Sequence, residues 1–160
     1  MINPGVLLKA YADLIRAVPE IAAALGQDIE RIIPYFGECE ATPSLTLAIY
    51  RAPAPGLLVV YRGFSPKGGR GTEYLRHDFS VIFRPGETFG SDPPENHYQV
   101  LQLLMDGVPS GSGLALSLTQ WHPDLNAPDV ATCRRVALVV DLVGTQLDYW
   151  QIDISCVEKS

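Results

Sequence analysis

The order of helical and strand-like segments constrains the fold of this chain more than any single motif does. A helical entry, Pro4 to Leu25, precedes several strand-like segments, and a capped helix, Pro93 to Asp106, interrupts them before the last strands. A sheet buries its apolar face by packing helices against it. The order therefore predicts one α+β domain over residues 1–160, with an antiparallel-rich, mixed β-sheet and helices packed on one face.

Capping and helix-breaking residues predict where the helical entry begins and ends. Asn3 can cap the helix, and Pro4 suits its first turn. Pro19 ends or kinks the helix, and Gly26 can stop the following helical turn in a left-handed conformation. The apolar residues fall on one face at helical spacing, which predicts an amphipathic helix; they are Leu7, Tyr11, Leu14, Ile15 and Val18.

The strand predictions rest on alternation of apolar and polar residues. Tyr74–Arg84 is the clearest case, and Ser44–Tyr50 also alternates, so both are predicted strands. We expect one face of the predicted strand Tyr74–Arg84 to lie in the core. Its residues Phe79, Val81 and Phe83 should pack against the helix residues Leu14, Leu101 and Leu104. The other predicted strands are Arg31–Ile33, Leu57–Arg62, Leu114–Trp121, Arg134–Val143 and Leu147–Val157, and Gly63–Thr72 is predicted to be a flexible loop.

Composition and charge exclude several classes of protein. The chain has 160 residues, of which 47% are hydrophobic, so it can bury a sizeable core. Its formal net charge of −6 argues against a general nucleic-acid binder. No apolar run approaches the roughly 20 residues that a membrane helix needs, and no signal peptide is visible. Three cysteines without CxxC spacing indicate free thiols in a reducing compartment.

The charge is distributed unevenly along the chain. Residues 51–84 carry six basic and two acidic side chains, a balance of +4, whereas residues 85–160 carry ten acidic and three basic ones, a balance of −7. Such segments can form solvated loops. They can also form two oppositely charged surfaces that meet on neighbouring copies of one protein.

No group of residues has the spacing of an active site. Gly68–Gly71 lacks the GK[ST] ending of a phosphate-binding loop. His77 and Asp78 are adjacent in a strand, so they point to opposite faces and cannot readily share a metal ion. Cys133 has no local histidine to act as its base. The sequence thus predicts a protein that is not an enzyme and that has no cofactor and no metal site.

The linear pattern of the chain resembles the tail terminator, or tail completion, proteins of long-tailed phages and related prophages. The resemblance is one of pattern over nearly the whole chain, not of a unique signature. The segments that carry it are the helical entry Val6–Gly26 with Ile33–Pro34, the segment Pro43–Leu47 that leads into a predicted strand, and the strand residues Arg76–Phe83 that precede the capped helix. The last two are the acidic, proline-containing loop Pro123–Asp129 and the late strand segment Arg134–Asp141.

The resemblance implies a structural role in the virion. The family is implied to form a small α+β domain that assembles as a ring, usually hexameric. That ring caps the tail tube, stops its polymerisation and meets the head-side connector protein. It would place this protein in the virion tail or neck, with assembly in the host cytoplasm. Its partners would be other copies of itself, the major tail tube protein and the connector.

Charge patterning then suggests which residues make the contacts. Lys67 and Arg70 in the predicted loop, with Arg76 in the next strand, are the candidate basic residues, and Asp124 and Asp129 are the candidate acids on a neighbour or tube partner. Two other functions remain open from sequence alone. One is a different phage neck, connector or baseplate component, and the other is a small cytosolic enzyme or ligand-binding domain.

Overall fold

The computed structural model describes residues 2–26, 29–36, 43–67, 74–85, 95–106, 125, 129–140 and 145–159. These residues form a five-stranded mixed sheet and four α-helices, as the α+β prediction requires. The helices are α1 (Pro4–Arg16), α2 (Pro19–Ala24), α3 (Pro43–Arg51) and α4 (Glu95–Asp106). The strands are β1 (Ile32–Phe36), β2 (Gly56–Lys67), β3 (Tyr74–Arg84), β4 (Asp129–Val140) and β5 (Thr145–Lys159).

The sheet has the strand order β1-β2-β3-β5-β4. Only β1 and β2 are parallel; the other three strand pairs are antiparallel. β5 is central to the second half of the sheet because β3 pairs with one of its edges and β4 with the other. The last strand of the chain is therefore inside the sheet, where it joins the middle of the sequence to residues 129–140.

The helical entry folds as its capping residues predict. The Asn3 side chain accepts hydrogen bonds from the main-chain N–H groups of Gly5, at 2.8 Å, and Val6, at 3.4 Å, which satisfies two donors at the start of α1. A break before Pro19 separates α1 from α2. Gly26 has a φ of 76°, the left-handed conformation that ends a helix, so this prediction is also confirmed.

Two apolar clusters lie on opposite faces of the sheet. The larger contains the buried residues of α1, α2 and α4 and one face of β2, β3 and β5. Phe79, Val81 and Phe83 are all buried in it together with Leu101 and Leu104, and partly buried Leu14 packs against it. The predicted core face of β3 is thus confirmed. Tyr11 of α1 stacks on Phe79 with ring centroids 5.2 Å apart.

The strand predicted over Ser44–Tyr50 is wrong, because this segment is part of helix α3. Leu45 and Ile49 satisfy the two-residue period of a strand, but they also lie four residues apart, as on one face of a helix. Both are buried in the second, smaller cluster, against Leu58, Val60 and Ile82. Three helices therefore share one face of the sheet, as predicted, and α3 covers part of the other face.

The predicted loop Gly63–Thr72 is wrong in its first half. β2 continues through Lys67, and its pairing with β3 shifts by one residue between Tyr61 and Gly63. Gly63 has a φ of 136°, which only glycine adopts readily, so the glycine serves a β-bulge within the strand. The remainder of that loop, and the predicted strand Leu114–Trp121, lie outside the described residues.

None of the helices in the described residues is long and apolar enough to cross a membrane.

Candidate functional site: a polar groove on the sheet

A polar groove occupies the part of the sheet face that continues beyond the α3 cluster. Residues of one face of a strand alternate with those of the other, so Ile82, Ser80, Asp78 and Arg76 follow one another along this face of β3. Directly opposite on β5 lie Gln151, Asp153 and Ser155. The face is apolar at Ile82, where α3 covers it, and becomes polar toward the start of β3.

The groove has a volume of about 380 Å³. Its polar lining residues are Arg62, Arg76, Asp78, Ser80, Gln151, Asp153 and Ser155. Ser80 is 1% exposed and Gln151 is 6% exposed, so the floor is made of buried polar side chains. Such groups must be hydrogen-bonded to be tolerated. The floor of the groove is therefore expected to be an ordered, hydrogen-bonded polar surface.

A continuous set of hydrogen bonds joins the floor of the groove. Arg62 Nε donates to Ser80 Oγ at 2.9 Å, and Ser80 Oγ donates to Asp153 Oδ1 at 2.7 Å. Gln151 Nε2 donates to the same Asp153 oxygen at 3.0 Å. Asp153 thus binds Ser80 and Gln151 directly, and Arg62 is joined to it through Ser80. The serine is held as a link between an arginine and a carboxylate, with no histidine in these bonds.

The mouth of the groove contains an exposed ion pair. Arg76 Nε donates to Asp78 Oδ1 at 2.8 Å, and the two side chains are 46% and 36% exposed. Exposed pairs contribute only about 0–1 kcal/mol to stability because water screens them. The pair therefore places one charge of each sign at the surface without making a large contribution to folding.

Only part of the predicted interaction set can be located. Lys67 is the last residue of β2, Arg76 is in β3, and Asp129 is the first residue of β4. Arg70 and Asp124 lie outside the described residues. Arg76 is the one member that lines the groove among the described residues, and its guanidinium is bonded within the chain.

The sheet register brings the located members to one end of the sheet. Lys67 pairs with Tyr74, which in turn pairs with Lys159, and Arg76 pairs with Val157. Asp129 pairs with Ser155 from the other side of β5. The backbones of Arg76 and Asp129 therefore lie beside residues 155–159 of β5, a length of about 13 Å at 3.3 Å per residue, and Lys67 lies one strand further away, beyond β3.

A second polar cluster is buried under α1, on the helical face of the sheet. His77 Nε2 is 2.7 Å from Glu158 Oε2, and His77 Nδ1 is 2.8 Å from the Tyr61 hydroxyl. The main-chain N–H of Ile2 donates to Glu158 Oε1 at 2.7 Å. His77 is fully buried and Glu158 is 4% exposed. We refer to Ile2, Tyr61, His77 and Glu158 as the buried knot.

The environment of the buried knot alters the pKa of its carboxyl group. Burial acts to raise the pKa of Glu158, but the hydrogen bonds from His77 and from the N–H of Ile2, with the charge of His77, outweigh it, so the pKa is lowered. Nearby, burial first and the Glu158 and Asp78 charges second raise the pKa of the Cys156 thiol to about 12. Glu158 is thus held as a carboxylate and Cys156 as a thiol.

Sequence reasoning identified neither the groove nor the buried knot. A signal for the groove was present, because β3 and β5 both carry polar residues at every second position in their matching halves. In the buried knot, His77 and Glu158 are 81 positions apart in the chain. Each occupies a position that alternates with the polar face of its strand, among apolar residues, and this was the sequence signal that they are buried. No group of three metal-ligating side chains occurs among the described residues. Cys133 is exposed and Cys156 is buried, and both are free thiols.

The chain matches no protein-family model and no curated protein.

Proposed function

We propose that this protein is a structural tail terminator, which forms a ring on the end of a phage tail tube and joins the tube to the head-side connector. The observation that carries the proposal is the gathering of Lys67, Arg76 and Asp129 at one end of the sheet. A ring of identical copies needs two different, complementary patches on each copy. The sequence resemblance to the tail terminator family supplies the specific role.

The charged residues at this end of the sheet belong to strands on either side of β5. The basic residues Lys67 and Arg76 belong to β2 and β3 on one side of it, and Asp129 begins β4 on the other side. Neighbouring strands lie about 4.8 Å apart, so the backbones of β3 and β4 are separated by about 10 Å. A basic and an acidic patch placed side by side can meet the opposite patches of two neighbours in a ring.

The floor of the groove makes this end of the sheet suitable for a reproducible contact. Ser80, Gln151 and Asp153 are held by mutual hydrogen bonds, so the surface keeps its shape when it meets a partner. Little side-chain entropy would then be lost on association. In this proposal the protein acts in the virion tail or neck after assembly in the host cytoplasm, with no cofactor and no catalytic step.

The exposed pair at the mouth of the groove provides a test of the proposal. Exchanging its charges in the double variant Arg76→Glu/Asp78→Arg keeps an ion pair in the monomer but reverses the field that a neighbour meets. Ring formation should weaken at low salt, by light scattering and electron microscopy, while the circular dichroism spectrum is unchanged. Lys9→Glu, an exposed charge change on α1 on the opposite face of the sheet, is the matched control and should form normal rings.

The groove itself favours a second candidate, a small ligand-binding domain. A cavity of about 380 Å³ with convergent polar groups is within the usual size of small-molecule sites. In that case Arg62→Ala should remove a small molecule that is retained by the purified protein in native mass spectrometry and should leave its oligomeric state unchanged. A ring that is lost in the charge-exchanged variant, with no retained molecule, would decide for assembly.

A further inference from the structure

We infer that the polar groove binds a small, polar oxyanion, a molecule whose carboxylate or phosphate group is held by the guanidinium groups of Arg62 and Arg76. The inference goes beyond the assembly proposal, because it concerns a ligand of one chain and does not need a ring. It rests on the placement of the two arginines in the groove, on the N–H groups that their hydrogen bonds leave over, and on the partners of the neighbouring carboxylates.

A β-bulge places Arg62 at the groove. The pairing of β2 with β3 shifts between Tyr61 and Gly63, so Arg62 is the extra residue of the bulge and has no partner in the register. Bulges of this kind redirect a side chain. Here the side chain lines the groove, where its Nε donates to Ser80 Oγ at 2.9 Å. That bond holds the guanidinium of Arg62 beside the floor before any ligand arrives.

The two arginines keep N–H groups for a ligand. A guanidinium carries five N–H donors in a planar fork, and Nε has one of them. Among the described residues, Arg62 donates through Nε to Ser80, and Arg76 donates through Nε to Asp78. The terminal NH2 groups of both arginines make no hydrogen bond to a described residue. Such forks match the paired oxygens of a carboxylate or phosphate group.

The carboxylates of the groove already have donors, so the site favours an anion over a cation. Asp153 accepts hydrogen bonds from Ser80 and Gln151, and Asp78 accepts one from Arg76. A cation would have to displace these donors from the carboxylates. An anion instead adds acceptors where guanidinium N–H groups are left over.

A third guanidinium gives this face of the sheet a positive balance. Arg134 of β4 pairs with Gln151, and residues directly opposite each other on antiparallel strands share a face. Burial raises the pKa of the Tyr149 hydroxyl, and the charges of Arg134 and Arg62 oppose the rise, so both lie near that hydroxyl. With Arg76, three arginines on the described part of this face stand against the two carboxylates, which leaves an excess of positive charge that attracts anions.

The volume and lining of the groove limit what the rest of the ligand can be. About 380 Å³ is near the lower end of the range of small-molecule sites, about 300–1,000 Å³. Apart from Phe79 and Ile154, every lining residue is polar or charged. Beyond its anionic group, the ligand should therefore carry hydroxyl or carbonyl groups and not a hydrocarbon chain. A hydroxy acid and a small phosphate compound both fit this description.

Titration with two probes, inorganic phosphate and malate, tests the inference and distinguishes the two kinds of anionic group. Main-chain amide shifts are followed by NMR at an ionic strength kept constant with sodium chloride. With at least one probe, the amides of Ser80 and Gln151 should shift and saturate with a Kd of about 10 mM or tighter, while that of Leu7, on the opposite face, stays unchanged. Shifts that do not saturate with either probe, or that saturate only away from the groove, would overturn the inference.

Variants separate recognition by the guanidinium fork from a simple loss of charge. Arg62→Lys keeps the charge but loses the fork, and it should weaken binding by about tenfold or more. Lys9→Gln removes one positive charge from exposed α1 on the opposite face of the sheet and should change the affinity by less than about twofold.

Arg134→Gln keeps the test valid if Arg62→Lys does not fold. Arg134 is exposed and makes no hydrogen bond to a described residue, so its replacement should leave the fold intact and weaken binding by about threefold or more. An affinity of Arg134→Gln equal to that of Lys9→Gln would overturn the inference. A ring that forms while neither probe binds would also overturn it, and would leave the assembly proposal standing.

Discussion

The guanidinium of Arg84, near the end of β3, donates a 2.6 Å hydrogen bond to the main-chain carbonyl oxygen of Ala52, just after α3. The same nitrogen lies 2.8 Å from the carbonyl oxygens of Ile49 and Tyr50. The last carbonyl groups of a helix have no partner within the helix, and a positive charge there also complements the helix dipole. Arg84 thus fixes α3 to the sheet, and its charge serves the fold.

Removing this cap should destabilise the protein. In Arg84→Met the carbonyl groups at the end of α3 lose a charged donor, and we expect the free energy of unfolding to fall by about 2–3 kcal/mol. Arg51→Met, an exposed change at the end of the same helix, should cost less than about 0.5 kcal/mol. Urea titrations measure both values. Equal effects of the two changes would mean that Arg84 does not hold α3.

The packing of Phe79 against Tyr11 predicts that the stability of the larger core cluster depends strongly on the Phe79 side chain. Phe79 is 1% exposed and lies between the rings of Tyr11 and Tyr61, at centroid distances of 5.2 and 5.3 Å. Phe79→Ala should therefore lower the free energy of unfolding by about 3–5 kcal/mol. Phe64→Ala is the matched control, because that ring is 51% exposed and should cost less than about 1 kcal/mol. A loss under about 1 kcal/mol for Phe79→Ala would refute the core assignment.

The buried Cys156 thiol predicts a loss of stability in alkali. Its pKa is raised to about 12 in the folded protein, above about 8.5 in an unfolded chain, so the folded state resists deprotonation. The contribution is complete below pH about 8.5 and is lost as the pH rises toward 12. Cys156→Ala should flatten the decline of unfolding free energy over this range, whereas Cys133→Ala, at an exposed thiol, should change it less. An unchanged decline in Cys156→Ala would assign it to other groups.

Sequence alone predicted the parts of the fold whose signals are local. Asn3, Pro19 and Gly26 act through their own backbone geometry, and they define the helical entry correctly. The alternation in β3 predicted its buried face, because over 11 residues one face of the strand is mainly apolar and the other is mainly polar. The alternation of Leu45, Leu47 and Ile49 led to the wrong prediction of a strand, because seven residues are too few to separate a period of two from one of 3.6.

The candidate site was harder to predict because its contacts are distant in the chain. Ser80 meets Asp153 across 73 residues, and His77 meets Glu158 across 81. Only the register of β3 on β5 brings these pairs together, and register depends on the whole sheet. The charge argument was also incomplete, because Arg62, Arg76 and Arg84, which contribute to the balance of +4, are bonded within the chain.

Reversal of the charges of Lys67, the last residue of β2, and of Arg70 tests the contribution of electrostatics to assembly. In Lys67→Glu/Arg70→Glu we expect slower or blocked ring assembly, with a folded monomer, because charges mainly set orientation and encounter rate. Assembly of the wild-type protein should weaken with added salt. Electron microscopy and light scattering check both. Normal rings and normal tail capping by the double variant would exclude these two residues from the contact.

The mass of the purified protein in solution, alone and with the major tail tube protein, tests the central claim most directly. The assembly proposal predicts a ring with a mass near six times the 17.5 kDa of one chain, either alone or on the tube end, and tubes that stop growing when it is added. A protein that stays at 17.5 kDa at high concentration, and leaves tube growth unchanged, would contradict the proposal.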